Sequence, residues 1–246
     1  MLTGKVIIVA GGGNGIGKAT AIELADAGAT VVVNDLGVTL SGEREEYGRV
    51  DGAVNFAGIV RDSISYEMTG EEFDSVIEVH LRGHFALLGN LGAHWRERAA
   101  EREDGRLETQ RSFLAVSSTA ATEGNVGQVN YAAAKGGILG MVRTAAKELH
   151  RLNVRVNALL PAAYTRMIES IPDEDFKREF RENKPPEKVA PMVGYVMSDA
   201  AEDVTGCSIL AEGDAIGLVS DPETTRIAFR DGGWTIEAIA DRFRSW

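Results

Sequence analysis

Tyr131 and Lys135 stand four residues apart in Tyr131-Ala132-Ala133-Ala134-Lys135. On a helix that spacing puts both side chains on one face. An ammonium held beside a phenol favours the phenolate and lowers the phenol's pKa. Such a tyrosine can serve as general acid or base for a carbonyl or alcohol oxygen. Ser118 lies thirteen residues upstream, at the end of the apolar run Phe113-Leu114-Ala115-Val116-Ser117-Ser118, and could donate a hydrogen bond to the same oxygen. Tyr-x-x-x-Lys alone occurs by chance in many helices, so the reading needs a partner chemistry.

The N-terminal segment offers one. Val6-Ile7-Ile8-Val9-Ala10 is a short apolar run rich in β-branched residues, and it reads as a strand buried on both faces. Gly11-Gly12-Gly13-Asn14-Gly15-Ile16-Gly17 follows directly, then a helical pattern over Lys18 to Ala27, a stop at Gly28 and a second strand, Thr30 to Asp35. Glycines between strand and helix let the backbone turn tightly and let a pyrophosphate reach the helix N-terminus. Asp35, 18 residues after Gly17, is placed to accept hydrogen bonds from an adenosine ribose. Its charge would repel a 2′-phosphate, and Asn14 offers that phosphate no cation. Both features favour NAD over NADP, which nearby arginines leave open.

The elements that must position these groups continue along the chain. Asp51 to Gly58 reads as a strand entering a glycine turn, and Glu71 to Leu91 as a helix broken near Gly83. Trp95 to Arg111 reads as a solvated, charge-rich helix end and loop. Tyr131 to Leu149 is a long helix, Asn153 to Leu160 a strand stopped by Pro161, Asp173 to Asn183 and Val189 to Met197 helices, and Ser208 to Ala211 the last strand. Strands alternating with helices predict one doubly wound, mostly parallel α/β domain over residues 1–246, with a C-terminal tail over 218–246. Phe229, Trp234, Ile236, Ile239 and Phe243 predict that the tail packs, on its own subunit or on a neighbour.

Composition narrows the function classes. A net charge of −11 makes nucleic acid or an anionic membrane surface an unsuitable main partner. Cys207 is the single cysteine, which excludes an intrachain disulfide and a cysteine-based zinc cluster. No metal site is expected. No apolar run approaches a membrane span, and the first strand begins too early for a signal peptide. The expectation is a cytoplasmic protein. Only seven of the 26 basic residues are lysines, a balance suited to a salty cytoplasm and equally to an ordinary acidic enzyme.

The chain resembles the short-chain dehydrogenase/reductase family over its whole length. The resemblance rests on the Ala10-to-Gly17 loop, Asn55-Phe56-Ala57-Gly58, Ser117-Ser118, Tyr131 with Lys135, and Asn157 to Pro161. Asn34-Asp35-Leu36-Gly37, Ala57 to Asp62, Val79-His80-Leu81-Arg82-Gly83 and Thr165-Arg166-Met167 look like its (3R)-hydroxyacyl-CoA dehydrogenase branch. The resemblance implies hydride transfer at C4 of a nicotinamide. It makes Tyr131 the acid/base, Ser118 the oxyanion partner and Lys135 the group that binds the nicotinamide ribose and tunes Tyr131. It extends the cofactor set to Gly11, Gly13, Asn14, Gly15, Ile16, Gly17, Asp35, Leu36, Asn55, Ala57, Gly58, Tyr131, Lys135, Pro161 and Thr165. Met167 and Ile168 would line the substrate pocket.

Four departures stand out. Ala10 replaces the family's usual Thr, and Phe56 interrupts its usual Asn-Asn-Ala-Gly. His80 stands where many members carry the asparagine that anchors a proton-relay water, so His80 is either a relay residue or an ordinary hydrogen-bonded helix histidine. The last is larger: twenty residues separate Asp35 from Asn55, where the family places a helix, a strand and another helix. Glu45 to Arg49 reads as the end of the second helix. Either the fold is truly shortened, or residues are missing from the chain near Ser41 to Arg44; the second is the expectation.

The activity expected is NAD(H)-dependent interconversion of a secondary alcohol and a ketone in a small-molecule substrate, a 3-hydroxyacyl/3-oxoacyl thioester. The alternatives are another small alcohol, a sugar or a steroid, or a non-catalytic dinucleotide-binding scaffold. A homo-oligomer, a tetramer by the family resemblance, is expected through surfaces near Phe85 to Leu91 and Tyr131 to Leu149.

Overall fold

A computed structural model describes residues 1–35, 48–169 and 173–246. Among them, seven strands form one sheet: β1 (Val6–Ala10), β2 (Thr30–Asn34), β3 (Gly52–Asn55), β4 (Arg111–Val116), β5 (Val154–Ala162), β6 (Ser208–Glu212) and β7 (Ala215–Val219). Their order is β2-β1-β3-β4-β5-β6-β7. All neighbours are parallel except β6 and β7. The α-helices are α1 (Gly15–Asp26), α2 (Gly70–Ile77), α3 (Gly83–Ala100), α4 (Val129–Leu149), α5 (Arg166–Glu169), α6 (Glu174–Asn183), α7 (Ala190–Met197) and α8 (Ile236–Arg244). This is the doubly wound α/β fold.

Apolar side chains alternate between two cores. Leu88, Leu91 and Trp95 of α3 and Ile138 and Val142 of α4 cover one sheet face. Leu24 of α1 and Val193, Val196 and Met197 of α7 cover the other. Strands buried on both faces need continuous apolar runs, which β1 and β4 supply.

Chain order reverses between β1 and β3, since β2 lies on one side of β1 and β3 on the other. The carboxyl ends of β1 and β3 therefore flank the crevice where open α/β sheets bind ligands.

Several expectations change. Trp95 is 1% exposed and donates from Nε1 to the Val50 carbonyl at 2.9 Å, so the charge-rich stretch begins inside the core. Pro161 does not stop β5, whose register runs on through Pro161↔Ala211 to Ala162. A proline can sit there because it is near the strand's end. β7 adds a strand after the one read as last. The sequence runs Ser41-Gly42-Glu43-Arg44 without interruption, so the shortening belongs to the chain itself. Leu36, the Ser41-to-Arg44 step and most of the Glu45-to-Arg49 helix end lie outside the described residues.

The short connection re-enters the fold on a polar clamp. Asp51, 3% exposed, accepts from the Val6 backbone at 2.9 Å and from Arg49 at 2.8 and 2.5 Å, with Arg111 at 3.1 Å.

Candidate active site

The glycine loop leaves β1 and enters α1. Asn14 caps that helix, its Oδ1 accepting the Gly15 N–H at 2.7 Å. A Cβ on Gly17 would lie 2.1 Å from the Gly11 carbonyl oxygen, and one on Gly11 would lie 2.5 Å from the Ala57 nitrogen. Gly11 also has φ +72°, a conformation L side chains rarely adopt. These contacts bring the two strand ends of the crevice together. The Gly13 N–H donates to Asp35 Oδ2 at 2.6 Å, and a Cβ on Gly13 would lie 2.7 Å from that oxygen. A Cβ is thus excluded at Gly11, Gly13 and Gly17, and the turn stands at the N-terminus of α1, a position that suits a pyrophosphate, while the Gly11, Gly13 and Gly15 amides are bonded to Asn34, Asp35 and Asn14. Ile16 packs against the core, and the Thr165 methyl lies 3.3 Å from where a Cβ on Gly15 would be. Asn55 Oδ1 accepts the Ala57 N–H at 3.0 Å and so shapes the opposite lip. Leu36 lies outside the described residues, as does the Met167 side chain.

Across the crevice, Ser118 follows β4 and Tyr131 stands in the first turn of α4. The Ser118 hydroxyl neighbours that of Tyr131, and the Ala120 N–H donates to Ser118 Oγ at 3.2 Å. Lys135 is 3% exposed; its Nζ lies 5.3 Å from the Tyr131 ring centroid and donates to the Val116 carbonyl at 2.7 Å. The structure therefore brings Ser118, Tyr131 and Lys135 together at the carboxyl end of β4.

His80 lies in a π-helical stretch, Glu78–Arg82, between α2 and α3. Its ring meets the Tyr131 ring edge-on, 5.1 Å between centroids and at 87°. Its Nε2 faces the Ile59 backbone, 2.8 Å from the carbonyl and 3.1 Å from the amide. One nitrogen cannot both donate and accept there, so one of the two bonds forms at a time. Nδ1 is buried with no partner among the described residues. Gly58 leaves room for this ring, since a Cβ would lie 2.5 Å from His80 Cε1.

The electrostatics are set by burial. Lys135 is lowered to about 7 by desolvation. Burial, with the nearby Lys135 charge, lowers His80 to about 3, so it is neutral at working pH. Tyr131 is raised, chiefly by burial, although the neighbouring Ser118 hydroxyl opposes this and Asp62 adds to it. This corrects the expectation that Lys135 lowers the phenol. Lys135 is itself poised between its charged and neutral forms, and its ammonium is turned to Val116, so desolvation of the phenolate wins.

Two supporting residues escaped the sequence reading. His84 is fully buried; its Nδ1–H donates to the His80 carbonyl at 2.6 Å, and its Nε2 accepts the Val116 N–H at 3.0 Å. It ties the π-helical stretch to β4. Asn130, also fully buried, donates to the Arg61 and Glu72 carbonyls at 2.9 and 3.2 Å and accepts the Tyr131 N–H at 2.7 Å. The i, i+4 spacing of His80 and His84 was the available signal for the first; nothing local marked the second.

A family model described as enoyl-(acyl carrier protein) reductase matches residues 39–213. The chain is 35% identical to hydroxyacyl-CoA dehydrogenase ChsB1 of Mycobacterium tuberculosis over 94% of its own length and 84% of the relative's. The chain belongs to the short-chain dehydrogenase/reductase family. It is accordingly an NAD(P)-dependent oxidoreductase, which sets aside the scaffold alternative. The 3-oxoacyl-(acyl-carrier-protein) reductase FabG of Thermotoga maritima is 34% identical, covering 89% of this chain and 99% of the relative. A crystal structure of a short-chain dehydrogenase from Mycobacterium avium superposes with a TM-score of 0.86 at 32% identity, covering 99% of this chain and 94% of that one.

The alignment with ChsB1 runs over 269 positions but uses 94% of a 246-residue chain, leaving about 38 positions of it opposite gaps. With FabG, 258 positions over 89% leave about 39. Among the described residues, no helix is long and apolar enough to cross a membrane, and no group of three or more His, Cys, Asp or Glu could hold a metal.

Proposed function

We propose that this chain interconverts the 3-hydroxy and 3-oxo forms of an acyl thioester with NAD(H). The observation that carries the reading is Tyr131 with Lys135 Nζ 5.3 Å from its ring centroid and the Ser118 hydroxyl beside it, at the carboxyl end of β4. The activities for which ChsB1 and FabG are named support the substrate class.

The pyrophosphate would lie against the turn of Gly11, Gly13, Asn14, Gly15, Ile16 and Gly17, and Asp35 would bond the adenosine ribose. Asn55, Ala57, Gly58, Pro161 and Thr165 would border the nicotinamide half, whose ribose Lys135 would bind. A bound nicotinamide dinucleotide supplies or accepts the hydride at C4 of its ring.

In the reducing direction Tyr131 gives its proton to the substrate oxygen as that oxygen gains charge, and Ser118 donates a hydrogen bond to the same atom. A raised Tyr131 pKa keeps the phenol protonated and suits it to this acid role. In oxidation the phenolate must form, so that direction gains from rising pH. His80 is neutral and neither gains nor loses a proton in this cycle. Its unpartnered Nδ1 suits it to seat a water beside Lys135, through which Tyr131 is reprotonated.

The experiment is NADH oxidation with acetoacetyl-CoA against small ketones, keto sugars and ketosteroids. The thioester should give the highest kcat/KM. Turnover of a sugar or steroid with none of the thioester would replace the substrate class.

A further inference from the structure

We propose that His84 is a positioning residue for the reaction: by accepting the Val116 N–H it holds the Val116 carbonyl where that oxygen anchors the Lys135 ammonium. The inference rests on the roles given to Tyr131 and Lys135 above.

The need arises at the end of β4. That strand keeps its register with β3 only as far as Asn55↔Ala115, while it pairs with β5 one residue further, at Val116↔Leu159. A strand residue turns its N–H and C=O to one side, and successive residues alternate sides. Ser112 donates to the Asp51 carbonyl beside β3 at 3.0 Å, and Ser117 donates to the Leu159 carbonyl of β5 at 2.7 Å. Val116, four residues after Ser112, therefore faces β3 one step past the last pair. Its N–H and C=O meet no strand there, and at 7% exposure water is a poor substitute. Two side chains take the strand's place. His84 Nε2 accepts the Val116 N–H at 3.0 Å, and Lys135 Nζ donates to the Val116 carbonyl at 2.7 Å.

Both side chains are themselves fixed. His84 is fully buried, and its Nδ1–H is spent on the His80 carbonyl at 2.6 Å, which leaves Nε2 as an acceptor. Lys135 is gripped at both ends, since Ser117 Oγ donates to its backbone carbonyl at 2.9 Å. An ammonium carries three donors. With one anchored on Val116, two remain for the nicotinamide ribose and for the water that serves Tyr131, whose ring centroid is 5.3 Å away. The two Val116 groups belong to adjacent peptide planes that share its Cα. A buried Val116 N–H with no acceptor must turn to find one. The carbonyl turns with it, and the ammonium loses its anchor.

The test separates the two bonds of His84. His84→Asn keeps an N–H near the Nδ1 position and loses the acceptor for Val116. His84→Gln keeps an acceptor near the Nε2 position and loses the donor to His80. His84→Leu loses both. A residue that only stabilised the fold would be weakened alike by Asn and Gln. The readouts on the full-length protein are steady-state kinetics with NADH and acetoacetyl-CoA, and isothermal titration with NADH. His84→Asn and His84→Leu should each lower kcat about tenfold, keep the acetoacetyl-CoA KM within about twofold and raise the NADH Kd about fivefold. His84→Gln should stay within about threefold of wild type in all three. Equal losses in the Asn and Gln variants overturn the proposal, as do wild-type kcat and Kd in His84→Asn at a lowered melting temperature. A wild-type protein that binds NADH but leaves acetoacetyl-CoA unreduced overturns the thioester reading alone, and the NADH titrations still decide this one.

Discussion

Tyr131 is the residue on which the chemistry turns, and its environment makes a directional statement. Burial holds it as a phenol, so removing the hydroxyl removes the acid while keeping the ring that His80 packs against. Tyr131→Phe should lower kcat by about three orders of magnitude or more, with the NADH Kd changed by less than about twofold in titration. A large loss of NADH affinity would mean that the residue is a binding group instead. Asp35 makes a second prediction. Its carboxylate is fixed by the Gly13 amide and meets any 2′-phosphate with a like charge. Asp35→Ala should raise the NADH Kd by about tenfold and lower that for NADPH. A wild-type kcat/KM that favours NADPH would refute the NAD preference.

Between α2 and α3 the π-helical turn does the positioning. An extra residue in the turn swings His80 onto Tyr131 and leaves His84 to bridge the His80 carbonyl and Val116. Both imidazoles are lowered to about 3, first by desolvation and then by the charge of Lys135. Their ordinary pKa is 6.5. The unfolded chain therefore binds more protons between those values, and folding stability must fall as pH drops from 6.5 toward 3. The slope is up to about 1.4 kcal/mol per pH unit for each histidine. His84→Leu should flatten that acid slope while lowering stability at pH 7 by about 2 kcal/mol, because the Val116 N–H loses its partner. Urea titrations at several pH values read both effects, and an unchanged slope would show that His84 protonation does not limit acid stability. Such a turn is not legible in sequence: hydrophobic period reveals a helix but not one inserted residue. The glycine loop, β1, β2 and the Tyr131–Lys135 face were legible because each obeys a local rule of turn geometry or spacing. β7 was not, since Ala215-Ile216-Gly217-Leu218-Val219 is too short and mixed to stand out. The direction of the Tyr131 shift was missed because spacing reports neighbours and not desolvation.

The whole molecule ends in an arm that the monomer does not bury. β7 runs antiparallel to β6, so Val219 lies beside Ser208, at the opposite end of the sheet from the active-site crevice. From there the chain reaches α8, none of whose residues is buried. Ile236 is 83% and Phe243 65% exposed, so of the two places expected for the tail, its own subunit does not cover these side chains. The Phe243 and Trp246 rings meet at a 47° tilt, 4.7 Å between centroids, and, with Trp234, Ile239 and the two arginines 226 and 242, line a cavity of about 280 Å³ within the arm. A helix with one apolar face gains little alone; burying side chains of this kind is worth about 1.5–3 kcal/mol each. That face calls for a neighbour, and Phe85 of α3, 64% exposed, adds a second such surface. We propose a homotetramer in which the arm packs on an adjacent copy. Light scattering of the full chain should give four times the 26.4 kDa subunit mass. Phe243→Asp, which changes nothing in the sheet, should lower that mass and the melting temperature together while the circular dichroism of the subunit is kept. A full chain that runs as a monomer overturns the tetramer, and an intact tetramer in the Phe243→Asp variant moves the interface off the arm.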